Sequence, residues 1–191
     1  LIFWDHGAGS LSGFGYDEFA PGTTMTLDEI NSALKNADTV FDFIGFDACL
    51  MATFETAVML NNYADYMIAS EEIEPGRGWY YTDWISAISA DTSMSTVQIG
   101  KNIIDSFIEV SYQNSSKDKT TLSIVDLAEL SGNVPEAFRD FAVSTGALID
   151  SDQYQVVSNA RSDARGFGVP TVDNQVDLIH LAQGIGTPEA R

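Results

Sequence analysis

Short unbroken apolar runs alternate with one-sided apolar stripes along most of this chain. The run LIFW over 1–4 predicts a buried strand, and the glycine-punctuated stretch 7–24 predicts a loop. Residues 26–36 (TLDEINSALKN) predict a helix. Leu27, Ile30 and Leu34 share one face of it, and Thr26 and Glu29 form a capping-box pattern. The β-branched and aromatic run TVFDFIGFDAC predicts a second strand ending near Cys49, and MATFETAVMLNNYA a helix whose stripe runs through Met51, Phe54 and Val58. DYMIAS predicts a third strand, and EEIEPGRG a charged loop broken by Pro75, Gly76 and Gly78. Two helices follow over 80–89 and 95–113, the second with a stripe of Ile103, Ile104, Phe107 and Ile108. NSSKDK predicts a polar turn and TTLSIVDL a fourth strand. A helix over 134–149 is predicted with Pro135 in its first turn, and the remainder, through VDLIHLAQGI, reads as mostly helical. No repeat, low-complexity segment or linker interrupts this order.

Strands alternating with helices of about ten to fifteen residues predict an α/β fold of βαβ units with a mostly parallel sheet. In such sheets function gathers at the carboxyl ends of the strands. His6 and Cys49 both fall just past such an end. The length of 191 residues and 45% hydrophobic content fit one domain over 1–191 with a sizeable core. No apolar run approaches the roughly 20 residues of a membrane-spanning helix. The net charge of -19, from 28 acids against nine bases, disfavours nucleic acid and anionic membranes as partners. It favours cationic substrates or peptides, although on charge alone solubility is the better explanation. With one cysteine the chain can build neither an internal disulfide nor a cysteine metal site.

The stretch GAGSLSG after the first strand has nearly the glycine spacing of a dinucleotide-binding loop. That loop works only where a helix begins at the glycines, and here FGYDEFAPGTT follows, with Pro21 and Gly22 as breakers and no helical period. The nucleotide reading therefore falls. GFDAC offers a different chemistry. In extended backbone Asp47 and Cys49 face the same side, and a helix starting after Cys49 would stabilise a thiolate. Asp47 would oppose that thiolate, unless it receives a cationic substrate group; it could equally cap the coming helix. His6 precedes Cys49 by 43 residues and is the natural proton-transfer group, with Gly7 allowing close backbone approach. His180, inside an apolar helical pattern, reads as structural.

WDHGAG, FDFIGFDACLMATFETA, DYMIASEEIEPGRGWYY and the tail pattern AR…FG…VDLIHLA together resemble the clostripain family of cysteine peptidases, over nearly the whole chain. The wider group holds caspases, legumains and gingipains. The resemblance implies a caspase-like three-layer α/β/α sandwich and endopeptidase cleavage after Arg or Lys through a His–Cys dyad and an acyl-enzyme. Cys49 matches the nucleophile and His6 the catalytic histidine, and the backbone amides of Gly7 and Cys49 would form the oxyanion hole. Asp47 matches the acid at the base of the primary specificity pocket. Ser70, Glu71 and Glu72 either line that pocket or belong to a solvated acidic loop, with Arg77 paired to one of the acids.

The implied partner is a peptide or protein with Arg or Lys before the cut. No cofactor is required by this reading. The many acids permit a calcium site, although no loop with calcium-binding spacing is present, and no other metal is expected. Secretion or a bacterial cell-envelope location follows from the resemblance alone. The family's additional elements before the histidine strand are absent from residues 1–191, which predicts an N-terminal segment or chain completing the sheet. Lys35 is the only base before the cysteine strand, so self-cleavage there is not expected, whereas the terminal Arg191 is the residue this specificity would leave at a cut. Two alternatives stay open: a latent or inactive relative, and an α/β binding domain in which His6 and Cys49 are structural.

Overall fold

The structure, a computed structural model, describes residues 1–114, 120–169 and 175–190. Apart from Asn114, the expected NSSKDK turn lies outside these residues, as does Arg191. The chain divides into two compact units, Leu1–Ala128 and Glu129–Arg191.

The first unit is built on a four-stranded sheet. β1 (Ile2–Trp4) leads through a one-turn helix α1 (Gly9–Ser12) and α2 (Leu27–Ala37) to β2 (Phe41–Asp47). Helix α3 (Phe54–Leu60) then connects to β3 (Ala64–Ala69), and α4 (Tyr81–Ala90) and α5 (Thr96–Asn114) connect to β4 (Ser123–Asp126). The order is β1-β2-β3-β4; the first three strands are parallel and β4 is antiparallel on the edge of β3. The mixed α/β fold with a mainly parallel sheet is the one expected.

Alternation along the strands assigns the two faces of this sheet. Ile2, Phe43 and Ile68 join Trp79, Trp84, Ile103 and Phe107 in a core beneath α4 and α5. On the other face Phe3, Phe14 and Phe46 form an aromatic cluster, Phe3 stacked on Phe46 at 5.0 Å between centroids. Ile30 and Leu34 of α2 are buried as its stripe requires, and the Thr26–Glu29 capping box is formed in full. Helix α3 is shorter than expected: Thr53 caps it by accepting from the Thr56 N–H, and Met51 lies before it, fully buried.

In the second unit, α6 (Leu127–Asp150) begins directly after β4, seven residues before the expected start. Pro135 therefore sits inside the helix and not in its first turn. Leu127, fully buried, anchors that first turn. α7 (Tyr154–Asp163) and α8 (Leu178–Ile185) pack with α6 around Phe141, Ala160 and Ile185. Between them lies a short antiparallel pair, β5 (Gly166–Phe167) and β6 (Gln175–Val176), which the helical reading of the tail missed. His180 holds a structural place: its Nδ1 accepts the Arg165 N–H at 3.1 Å.

Candidate active site

Parallel pairing places the two candidate reactive residues at the same level. Trp4 pairs with Asp47 at the ends of β1 and β2, and His6 and Cys49 each lie two residues further on. The approach is held by Gly7. A β-carbon there would stand 2.2 Å from the Cys49 carbonyl oxygen and 2.9 Å from Met51 Cγ, so only glycine fits against the cysteine turn. Gly7 also bridges Phe14 in an antiparallel pair whose bonds are made by its neighbours: Gly15 N–H to His6 O at 2.8 Å and Ala8 N–H to Gly13 O at 2.9 Å. In that geometry the Gly7 N–H points away from the pair. His6 is exposed, its ring edge-on to Tyr16 at 6.2 Å. Beside it opens a cleft of about 350 Å³ lined by Gly7, Ala8, Gly13, Gly15, Tyr16 and Thr24.

Cys49 is half-buried in a turn completed by Leu50 at φ 65°, a left-handed conformation costing an L-residue roughly 1–2 kcal/mol. The chain then runs extended against the acidic loop: Leu50 N–H donates to Glu72 O at 3.1 Å and Ala52 N–H to Ser70 O at 2.9 Å. Helix α3 starts only at Phe54, so its N-terminus is not at the thiol, contrary to expectation. Instead the Glu74 N–H donates to Cys49 Sγ at 3.3 Å, with the Glu74 carbonyl oxygen 3.9 Å from the sulfur.

Asp47 does not cap α3; Thr53 does. Its carboxylate is 3% exposed and accepts from the Trp79 N–H at 3.0 Å and the Tyr81 hydroxyl at 2.9 Å. Trp79 reaches it because Gly45 of β2 leaves room: a β-carbon there would lie 2.7 Å from the indole. Gly78, at φ 63°, passes so close that a β-carbon would stand 2.5 Å from Asp47 Oδ1. Burial raises the Asp47 carboxyl above its ordinary range, against hydrogen bonds that favour its charge. Burial likewise holds the Tyr81 hydroxyl well above its usual value.

The residue that sequence reasoning missed is Glu74. It is 7% exposed, and Oε1 accepts from the Trp79 indole N–H at 3.4 Å. Burial first, and the adjacent Asp47 charge second, push its carboxyl up to about 9. Glu74 follows Glu71 and Glu72 in a run that reads either as pocket lining or as a solvated loop. The only signal against the solvated reading was the aromatic pair Trp79–Tyr80 a few positions on.

The acids of this loop are buried or half-buried, while Ile73, Gly76 and Arg77 are exposed. The Ser70 hydroxyl is fully buried, donating to Glu72 O at 2.9 Å and lying 3.1 Å from Thr121 Oγ1. Thr121 Oγ1 also accepts the N–H groups of Glu71 and Glu72, each at 3.1 Å. Glu72 is buried, and Glu71 Oε1 accepts from the Ser123 hydroxyl at 2.7 Å. Arg77 corrects a further expectation: it is exposed and makes no ion pair with a described residue, because the loop carries it outward while the acids turn in. Among the described residues no cluster of three or more His, Cys, Asp or Glu could hold a metal ion. Nor is any described helix long and apolar enough to cross a membrane.

A family model described as the clostripain family, Peptidase C11, matches residues 1–177. Among solved structures, a secreted C11 cysteine protease from Bacteroides thetaiotaomicron, in complex with an irreversible peptide inhibitor, is 26% identical with a TM-score of 0.67. The match covers 99% of this chain and 52% of that one. An inactive zymogen C11 protease from Parabacteroides distasonis is 21% identical at a TM-score of 0.63, covering 99% and 50% respectively. A cysteine protease of B. fragilis is 21% identical at a TM-score of 0.62, covering 93% and 71%. This chain thus spans about half the length of the first two. No curated protein matches it significantly.

Proposed function

The chain belongs to the clostripain family of cysteine peptidases, and from that premise we propose that it is an endopeptidase cutting after Arg or Lys through a Cys49–His6 dyad. The observation that carries this reading is the buried Asp47 carboxylate two residues before Cys49, at the end of the strand that presents the thiol. A buried anion at that place matches a guanidinium or ammonium side chain, which it would neutralise and orient.

Cys49 Sγ attacks the scissile carbonyl and forms an acyl-enzyme, and His6 gives a proton to the departing amine. The outward-pointing Gly7 N–H, with that of Cys49, receives the charge developing on the carbonyl oxygen, and loss of one such donor costs about 3–4 kcal/mol of barrier. The cleft beside His6 takes substrate on the leaving-group side. Ser70 and Glu72 support this site by folding the loop, and Glu71 ties the loop to β4. Secretion is proposed from the secreted relative.

The test is hydrolysis of fluorogenic peptides ending in arginine, lysine or aspartate. Wild type is expected to cleave the basic peptides only, Cys49→Ala to be inactive, and Asp47→Asn to lose the basic preference by at least tenfold. Cleavage by Cys49→Ala would overturn the mechanism. A latent form is the second reading, favoured by the thiol's contact with Glu74; rapid alkylation of Cys49 without hydrolysis of any peptide would establish it.

A further inference from the structure

Two carboxyl groups, Asp47 and Glu74, meet behind Cys49, and the mechanism above uses only one. Ionised, Glu74 would keep Oε2 shut away from solvent with no donor to satisfy it. Protonated, its carboxyl donates to Asp47 and that conflict disappears. The remaining groups around the pair are the Tyr81 hydroxyl on α4, which donates to Asp47, the Trp79 indole and backbone N–H groups, the Ala48 backbone, which favours an ionised Glu74, and the Cys49 thiol against the Glu74 backbone. No cation is among them. Burial of two adjoining carboxyls with no cation beside them favours one shared negative charge over two.

We propose that Glu74 is the second acid of the primary specificity pocket: it shares one proton with Asp47 in the empty pocket and releases that proton to solvent when the substrate's basic side chain enters. This rests on the reading of Asp47 above and deepens it. A guanidinium presents two parallel N–H edges, and a pair of carboxylates answers both. A cation beside Glu74 favours its ionised form, so binding and proton release are linked. Affinity for a basic side chain rises with pH up to the point where the empty pocket already ionises, near pH 9, and then levels off.

The experiment compares kcat/KM for two peptides identical except for arginine or its neutral isostere citrulline before the cut, across about pH 6 to 10. Effects of pH on the bond-breaking machinery act on both peptides and cancel in the ratio. The arginine-to-citrulline ratio of wild type is expected to rise at least tenfold and then level off, and that of Glu74→Gln to stay flat across the same range. Calorimetry of acetyl-arginine methylamide in two buffers of different ionisation enthalpy reads the released proton without needing turnover. A flat wild-type ratio, an unchanged profile in Glu74→Gln, or binding without proton release overturns the proposal. If arginine preference survives Asp47→Asn, the specificity reading itself has failed. If Asp47→Asn abolishes the preference but the wild-type ratio is flat, only the role of Glu74 has.

Discussion

At the scale of single residues, the site is paid for in stability by one buried proton. Glu74 ionises near 4.5 when unfolded and near 9 when folded, so between those values the folded chain binds more protons than the unfolded one. Stability contributed by that proton is therefore complete below about pH 4.5 and is lost as pH rises toward 9, by up to ~1.4 kcal/mol per pH unit. Burial raises Asp47 too, so its ionisation also adds to the loss as pH rises. The melting temperature of the empty chain is expected to fall from about pH 6 to 9. Glu74→Gln, isosteric and unable to ionise, should flatten that slope and melt higher than wild type at pH 9. An unchanged slope in the variant would show that Glu74 is not the group involved.

At the scale of elements, the chemistry depends on how the loop from Ser70 to Tyr80 docks on the turn after β2. Gly78 and Gly76 separate docking from composition. Gly78→Ala would force an L-residue to φ 63° and drive a methyl group into Asp47, so a loss of about 1–2 kcal/mol and several degrees of melting temperature is expected. Gly76→Ala meets nothing within 4 Å and should be near neutral. Equal melting of the two variants would contradict the docking. The four strands of the main sheet, α2 with its capping box, and the level of His6 with Cys49 were legible in the sequence, because periodicity and capping are local patterns; the short β5–β6 pair was not. The start of α6 was misread because Pro135 fits a first helical turn equally well, and burial of Leu127 decided otherwise. Glu74 was illegible for a related reason. Within the acidic run nothing separates it from Glu71 and Glu72; the aromatic pair that follows is the one local signal, and Gly45, 29 residues earlier, makes the space for Trp79, whose indole donates to Glu74.

For the molecule as a whole, the net charge of -19 and the buried acid pair should act on a cationic substrate over different distances. The surface field works through solvent, where screening lengths fall from about 10 Å at 0.1 M salt to about 3 Å at 1 M. The pocket acids are almost fully buried and escape most of that screening. Salt therefore separates encounter from recognition. The kcat/KM for an arginine peptide is expected to fall several-fold between about 20 mM and 1 M salt, while a residual preference over citrulline persists at the highest salt. Asp47→Asn changes one charge in nineteen, so it should keep the salt slope and lose the residual preference. A flat salt profile for wild type would mean that the acidic surface serves solubility and takes no part in gathering substrate. Loss of the residual preference in wild type at 1 M would mean that selectivity comes from the surface field and not from the acids behind Cys49.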